Sequence, residues 1–148
     1  MSTQPTSTRL HYGKAAPEGI AAMEALDTYV DASGLDPVLL DLIRLRASII
    51  NGCAYCVDMH TKDLHARGET VERISGLVIW NLAPYYTEKE RAALAWTDAV
   101  TEPIKGHVSD EVFARARPHF DDKQLVDLTL VVNAINNWNR IVAAFRPV

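Results

Sequence analysis

Long apolar runs and an excess of basic residues are both missing from this sequence of 148 residues. No apolar stretch approaches the roughly 18 residues that a membrane-spanning helix needs, so we expect no membrane contact. The net charge is −4, and no stripe of Lys and Arg is visible. This argues against a nucleic-acid partner, because phosphate backbones bind clustered positive charge. The opening residues, MSTQPTSTRLHYGK, lack the apolar core of a secretory signal. We therefore expect a soluble, cytoplasmic protein.

Cysteine is equally scarce, since Cys53 and Cys56 are the only two in the chain. In a reducing compartment, two cysteines are a poor structural cross-link, and a close pair is more often catalytic or metal-binding. Apolar residues make up 48% of the sequence, which suits one folded domain with a core of its own.

Alternating strand patterns, internal repeats and low-complexity segments are absent as well. Residues 1–15 are polar and without period, which predicts an extended N-terminal arm, and residues 16–148 form the predicted domain. Within that domain apolar residues recur at helical spacing. The predicted fold is all-α, a single domain of about six to seven helices. N-caps or helix starts are expected at four positions: Asp36, Thr70, Thr87 and Asp121. Helix breaks are expected at Ser33-Gly34, Asn51-Gly52 and Gly68.

The last predicted helix, LVDLTLVVNAINNWNRIVAAF (residues 125–145), carries apolar residues over more than one face. A helix that is apolar most of the way round must be buried on several sides. Either it lies at the centre of the domain, or it packs against another subunit. Periodicity alone does not decide between the two.

The stretch NGCAYCVDMH (residues 51–60) places Cys53, Cys56 and His60 at positions i, i+3 and i+7 of a predicted helix, and so on one side of it. The helix start favours a thiolate at Cys53, an effect worth roughly 0.3–1 kcal/mol when exposed. A charge-assisted hydrogen bond from His60 would favour Cys56 by about 1.5–3 kcal/mol. These magnitudes predict Cys56 as the nucleophile and Cys53 as the resolving thiol.

Two other interpretations of this constellation stay open. Two cysteines on a helix can be small buried hydrophobic residues with no chemical role. Zinc is the second alternative, although two cysteines and one histidine supply three ligands and a structural zinc site takes four. A thioredoxin-like centre needs a βαβ context, and the sequence has none.

LRASIINGCAYCVDMHTKDLHARGE (residues 45–69) closely resembles the core motif of the alkylhydroperoxidase AhpD-like, or carboxymuconolactone decarboxylase, superfamily. YYTEKERAALAWTDAVT (85–101) and NAINNWNRIVAAFRP (133–147) resemble its later helices. The resemblance implies an AhpD-like helical bundle that assembles as a homo-oligomer, here expected to be a trimer or hexamer. It also implies thiol-dependent peroxidase or disulfide reductase activity, with no metal and no bound organic cofactor.

The resemblance also implies residue roles. The second cysteine of the motif attacks peroxide and the first resolves it, which corresponds to Cys56 and Cys53. The histidine, His60, belongs to a proton relay with a glutamate twelve positions before the first cysteine. Here that position is Asp41, one methylene shorter. Asp41 either reaches His60 through an extra water or forms a structural ion pair with Arg44.

The predicted function is therefore a peroxidase of peroxiredoxin type, which reduces a hydroperoxide and is itself reduced by an external dithiol protein or small thiol. A non-catalytic oligomeric scaffold that keeps an inherited disulfide is one alternative. A decarboxylase-like lyase is the other, and it requires cationic residues around an acidic lactone. Its candidate lining residues are Arg44, Arg46 and Arg140.

Overall fold

The computed structural model describes residues 8–146. Within this range the chain forms eight α-helices and two short 3₁₀-helices, with no β-strand, which confirms the all-α class. The count exceeds six to seven because α1 forms within the segment that was predicted to be extended. The α-helices are α1 (Tyr12–Ala15), α2 (Pro17–Asp31), α3 (Pro37–Asn51), α4 (Ala54–Ala66), α5 (Val71–Ser75), α6 (Glu88–Thr101), α7 (Asp110–Ala116) and α8 (Asp122–Phe145). The 3₁₀-helices are Gly76–Ile79 and Pro103–Lys105.

Local capping explains most helix boundaries. The Asp36 side chain accepts a hydrogen bond from the Val38 amide at 3.0 Å and so begins α3. Thr87 and Asp121 each form a capping box with the third residue of the helix that follows. Helix α3 ends at Asn51, and the capping residue Gly52 has a φ of 66°, in the left-handed region that glycine adopts without strain. These predicted boundaries are confirmed.

Two predicted segments differ from the structure. The helix capped by Thr70 was expected to run to about Trp80, but its α-helical part ends at Ser75 and a 3₁₀-helix follows. The prediction of an extended arm is wrong for Tyr12–Ala15, which form a helical turn. Residues 1–7 of the predicted arm lie outside the described residues. The Arg9 amide donates to the Phe145 carbonyl at 3.0 Å, so this segment is attached to the end of α8.

Helix α8 lies at the centre of the single chain, in contact with α2, α3, α4 and α6. Seven of its apolar residues are buried by these neighbours: Leu125, Leu128, Val131, Val132, Ala134, Ile135 and Val142. Its broad apolar surface is therefore explained within one domain, and this helix no longer argues for a second subunit. The homo-oligomer stays a prediction.

None of the helices within residues 8–146 is both long enough and apolar enough to cross a bilayer.

Candidate functional site

The two cysteines form a disulfide at the start of helix α4. Cys53 is the N-cap residue and Cys56 lies in the first turn, so their Cα atoms are 5.3 Å apart. The Cys56 amide donates to Cys53 Sγ at 3.4 Å, as expected for a sulfur at a helix start. Both residues are buried and pack against Val142 of α8. The i, i+3 spacing therefore brings the two sulfurs into bonding contact.

A pocket of about 330 Å³ opens beside this disulfide. Cys56 contributes to its lining and is the only cysteine among the described lining residues. The apolar part of the wall comes from α1, α4 and α8, through Tyr12, Tyr55, Met59, Trp138 and Val142. A small molecule in this pocket would meet Cys56 rather than Cys53.

His60 also lines the pocket and is only 6% exposed. Neither ring nitrogen has a hydrogen-bond partner among the described residues. Asp63 Oδ2 lies 3.3 Å from Nδ1, close enough for attraction but without the alignment of a hydrogen bond. Burial lowers the pKa of His60, the nearby Arg44 lowers it further, and the Asp63 and Asp41 carboxylates oppose the shift. The imidazole is therefore neutral near pH 7.

Asp41, the predicted relay acid, is buried beneath His60 on helix α3. A carboxylate oxygen of Asp41 and a ring nitrogen of His60 lie within 4.8 Å of each other, yet they make no direct hydrogen bond. One water can bridge such a gap. The carboxylate instead accepts hydrogen bonds from Arg44, at 3.4 Å, and from Arg67. The ion pair between Asp41 and Arg44, the predicted alternative to the relay, is therefore present, and Arg67 adds a second guanidinium. The relay between Asp41 and His60 stays a prediction.

Asp41, His60 and Asp63 could in principle ligate a metal ion, because one ligand atom from each lies within 4.8 Å of the others. The donor set fits a cation poorly. Asp41 already neutralises the guanidinium groups of Arg44 and Arg67, and a divalent ion would have to share that carboxylate with both.

A second polar group of the pocket involves helices α2, α3 and α8. Asp31 Oδ1 accepts from Arg44 Nη2 at 2.7 Å, and Trp138 Nε1 donates to Asp27 Oδ2. Burial raises the pKa of Asp27, while the Trp138 hydrogen bond and Arg44 oppose the shift. Arg44 therefore contacts two carboxylates, Asp31 and Asp41, and its charge is largely compensated.

Side-chain amides hold the end of α3, just before the cysteine pair, against α8. Asn51 Nδ2 donates to Asn136 Oδ1 and to Asn139 Oδ1, each at 3.0 Å. Asn139 in turn donates to Ser48 Oγ at 3.0 Å. Because Asn136 and Asn139 are buried, this paired network fixes the position of the turn that leads into Cys53.

Seven residues of the site were not predicted from the sequence: Asp27, Ser48, Asn51, Asp63, Arg67, Asn136 and Asn139. The sequence contained a signal for Asn136 and Asn139, because polar residues inside an otherwise apolar helix need buried partners. It contained one for Asp63 as well, because Asp63 lies three residues after His60 on the same helix and so on the same side. No local pattern connects Arg67 to Asp41 or Asp27 to Trp138.

Comparison with known proteins places these features in a family. The model of the Carboxymuconolactone decarboxylase family matches residues 17–99, which include all four predicted site residues. The uncharacterised protein YdfG of Bacillus subtilis (strain 168) is 42% identical over 138 residues, covering 93% of this chain and 94% of that protein.

Solved structures agree with this match. One is an Agrobacterium tumefaciens protein of unknown function, proposed to be the antioxidant defence protein AhpD; it has 47% identity and a TM-score of 0.91, with 96% of this chain and 99% of that chain covered. The debrominase Bmp8 is 24% identical with a TM-score of 0.73 over 88% of this chain and 70% of that chain, a likeness of fold alone. The protein belongs to the carboxymuconolactone decarboxylase family, within the AhpD-like superfamily.

Proposed function

We propose that this protein is a thiol-dependent peroxidase of peroxiredoxin type, which reduces hydroperoxides through the Cys53–Cys56 dithiol–disulfide couple. The observation that carries the proposal is the position of Cys56. This residue faces a pocket of about 330 Å³ that the buried His60 imidazole also lines, with the second sulfur in bonding contact. Neither ring nitrogen has a hydrogen-bond partner among the described residues. A nucleophile, a proton acceptor and a resolving thiol are the groups that such a reaction needs.

The names of similar proteins support the same activity. The Agrobacterium tumefaciens relative, at 47% identity, is linked to AhpD and antioxidant defence. The matched family is associated with enzymes, and a CxxC pair favours its redox members over those that decarboxylate a lactone.

The first step consumes the hydroperoxide. The Cys56 thiolate attacks the outer oxygen of the O–O bond and forms an S–O bond. The O–O bond breaks, and its electron pair leaves with the alkoxide. The alkoxide takes a proton and departs as the alcohol, while Cys56 becomes a sulfenic acid. Sulfur is oxidised by two electrons and the peroxide is reduced by two.

The second and third steps restore the thiols. The Cys53 thiol attacks the Cys56 sulfenic acid, so an S–S bond forms and water leaves. An external dithiol then attacks the disulfide, exchanges twice, and departs as its own disulfide. Cys53 and Cys56 return to the reduced state. The reductant, a dithiol protein or small thiol, is the proposed partner.

His60 is the proposed proton acceptor for the Cys56 thiol. A neutral imidazole is required for that role, and the lowered pKa of His60 supplies one at pH 7. It can return the proton to the leaving alkoxide. Asp41 is the proposed positioning residue, which would act on His60 through a water and through its charge.

The lyase alternative finds less support. Its three candidate arginines do not converge: Arg44 lines the cysteine pocket, whereas Arg46 and Arg140 line two other pockets. Arg46 is bound to Asp98 at 2.8 Å. Arg44 alone would have to hold an acidic lactone, and Asp31 and Asp41 already bind it.

The test combines peroxide consumption under a dithiol reductant with titration of free thiols before and after one equivalent of peroxide. Wild type should turn over and lose two thiols per chain. Cys56→Ser should abolish the attack, and Cys53→Ser should allow one attack but stall at the sulfenic acid. His60→Ala should slow the attack about a hundredfold. His65→Ala is the matched control, because His65 is an exposed histidine on the same helix.

Other outcomes have definite meanings. If Cys53→Ser abolishes the initial attack, the two cysteine roles are reversed. If neither serine variant differs from wild type, the cysteine pair is structural, and the result favours the non-catalytic scaffold.

A further inference from the structure

The ionisable side chains that line the cysteine pocket carry more negative than positive charge. Asp27, Asp31, Arg44 and His60 are the groups concerned. Arg44 is the only cation among the described lining residues, and His60 is neutral near pH 7 because its pKa is lowered. With Asp27 and Asp31 ionised, the remaining balance is one net negative charge, carried by these two carboxylates against Arg44.

The one cation is already bound. Arg44 Nη2 lies 2.7 Å from Asp31, and Arg44 Nη1 lies 3.4 Å from Asp41, which is outside the pocket lining. An anionic ligand would approach a guanidinium whose charge these two carboxylates already offset, so Arg44 attracts it weakly.

Asp27 adds a carboxylate that forms no ion pair within residues 8–146, although the Arg44 charge acts on it from a greater distance. Among the described residues, its side chain accepts a hydrogen bond from Trp138 Nε1, a neutral donor. When the disulfide is reduced and Cys56 passes its proton to His60, the thiolate and the imidazolium together add no net charge to the pocket. An anion that enters would therefore meet the Asp27 carboxylate at short range with no ion-paired cation to offset it.

The rest of the wall is aromatic or aliphatic. Tyr12, Tyr55 and Trp138 supply ring surfaces, and Met59 and Val142 supply aliphatic contacts. Tyr12, Trp138 and Val142 lie outside the residues that the family model matches. A ligand with a hydrocarbon group would bury that group here, with a favourable loss of water contact.

We propose that this pocket selects neutral organic hydroperoxides with an aromatic or branched hydrocarbon group over hydroperoxides that carry a carboxylate, and that Asp27 is the main determinant of this selection. The inference rests on the proposed peroxidase function and names the substrate class of the same site. The pocket would select its substrate both by repelling a negatively charged group and by contacting the hydrocarbon group.

The test uses two probes that differ in charge and by one methyl group, and the Asp27 variant described below separates the effect of charge from that of the methyl group. These are cumene hydroperoxide bearing a para-carboxylate and its para-methyl ester, in which the substituent is remote from the O–O bond. The rate constant for oxidation of the reduced protein is measured with each, and each is divided by the rate constant with free dithiothreitol to remove intrinsic reactivity. We expect the ester to react on the order of fivefold faster than the carboxylate.

Asp27→Asn removes the charge and keeps an oxygen that can accept from Trp138. We expect it to reduce the preference for the ester severalfold. Asp122→Asn is the matched control, because it removes the same charge at an exposed residue that lines none of the pockets described here, and it should keep the wild-type preference. Should Asp27→Asn fail to fold, the ester preference of wild type should still shrink as salt rises, since salt screens repulsion.

The possible failures are distinct. If both probes oxidise the thiols and the carboxylate reacts as fast as the ester or faster, the selection is overturned and Arg44 is an anion anchor. If the ester is preferred but a folded Asp27→Asn keeps the full preference, Asp27 is not its cause and the inference is wrong. If that variant does not fold, a preference that salt leaves unchanged has the same meaning. If neither probe oxidises the reduced cysteines, the peroxidase proposal itself falls, and the inference falls with it.

Discussion

Arg67 donates a hydrogen bond to the Asp41 carboxylate, although Arg67 follows the last turn of α4 and Asp41 lies near the start of α3. Arg44 binds the other oxygen of the same carboxylate. Asp41 thus joins the helix that carries Cys56 and His60 to the helix that precedes it. The proposed relay acid is thus bound by two guanidinium groups, and a role in stability can be measured separately from the proposed role in catalysis.

Asp41→Asn should destabilise the protein by about 2–3 kcal/mol, because it leaves Arg44 and Arg67 without their shared anion. The expected loss is at the lower end of the range for breaking a buried ion pair, because the Arg67 side chain is 43% exposed. Urea unfolding measures the change. Asp58→Asn, which breaks the exposed Asp58–Lys62 pair on α4, is the control and should cost less than about 1 kcal/mol. Equal losses in the two variants would contradict a structural role for Asp41.

The pKa of His60 should respond to Asp41 and Arg44 in opposite directions. The Asp41 carboxylate raises this pKa and the Arg44 guanidinium lowers it. Asp41→Asn should therefore lower the pKa further, and Arg44→Gln should raise it. A titration of the His60 ring resonances by NMR reads both shifts directly. If neither variant moves the pKa while Asp41→Asn still destabilises the protein, Asp41 acts as an ion pair alone.

Stability should fall as the solution becomes acidic, through His60. Its pKa is lowered in the folded protein from an ordinary value of about 6.5. The unfolded chain therefore binds the proton first, and between the two pKa values the free energy of unfolding rises with pH. The contribution is complete above about pH 6.5 and is lost as pH falls through the lowered pKa. Urea unfolding of His60→Gln should show a flatter dependence below pH 6.5, whereas the exposed His65→Gln should keep the wild-type slope.

Local signals made much of the fold predictable. Asp36, Thr70, Thr87 and Asp121 begin helices where expected, because each cap acts on residues two or three positions away. The cysteine pair was predictable for the same reason, since one helical turn brings positions 53 and 56 together.

Other parts of the site depend on tertiary packing, which periodicity does not encode. Asp41 and Arg67 are 26 positions apart, and Asp27 and Trp138 are 111 apart. The central position of α8 was likewise undecided, because a helix apolar on several sides looks the same whether its neighbours belong to one chain or two.

The amide network should contribute to stability through Asn139. Asn139→Ala removes one hydrogen bond to Ser48 and one from Asn51 in a buried site, although Ser48 and Asn51 keep other partners. We expect a loss of about 1–3 kcal/mol in the free energy of unfolding. Asn137→Ala, an exposed asparagine of the same helix, makes the same change of residue and should cost less than about 0.5 kcal/mol. Similar costs would mean that the network is not a significant source of stability.

Tyr12 should act as a wall of the pocket, held there by the attachment of its segment to α8. Its ring lies 6.5 Å from that of Phe145, centre to centre, and the Arg9 amide is bound to the Phe145 carbonyl. Tyr12→Ala removes ring surface that an organic substrate would contact, so KM for cumene hydroperoxide should rise about three- to tenfold, the effect of roughly 1 kcal/mol of lost apolar contact. Hydrogen peroxide has no hydrocarbon group to bury, and its KM should change less.

Tyr12→Phe is the matched control, because it keeps the ring and removes only the hydroxyl. Steady-state kinetics with both peroxides should leave this variant close to wild type. If Tyr12→Phe raises KM as much as Tyr12→Ala, the hydroxyl rather than the ring surface contacts the substrate. If Tyr12→Ala changes KM for neither peroxide, the segment before α2 is not part of the substrate site, and the pocket extends only from α2 to α8.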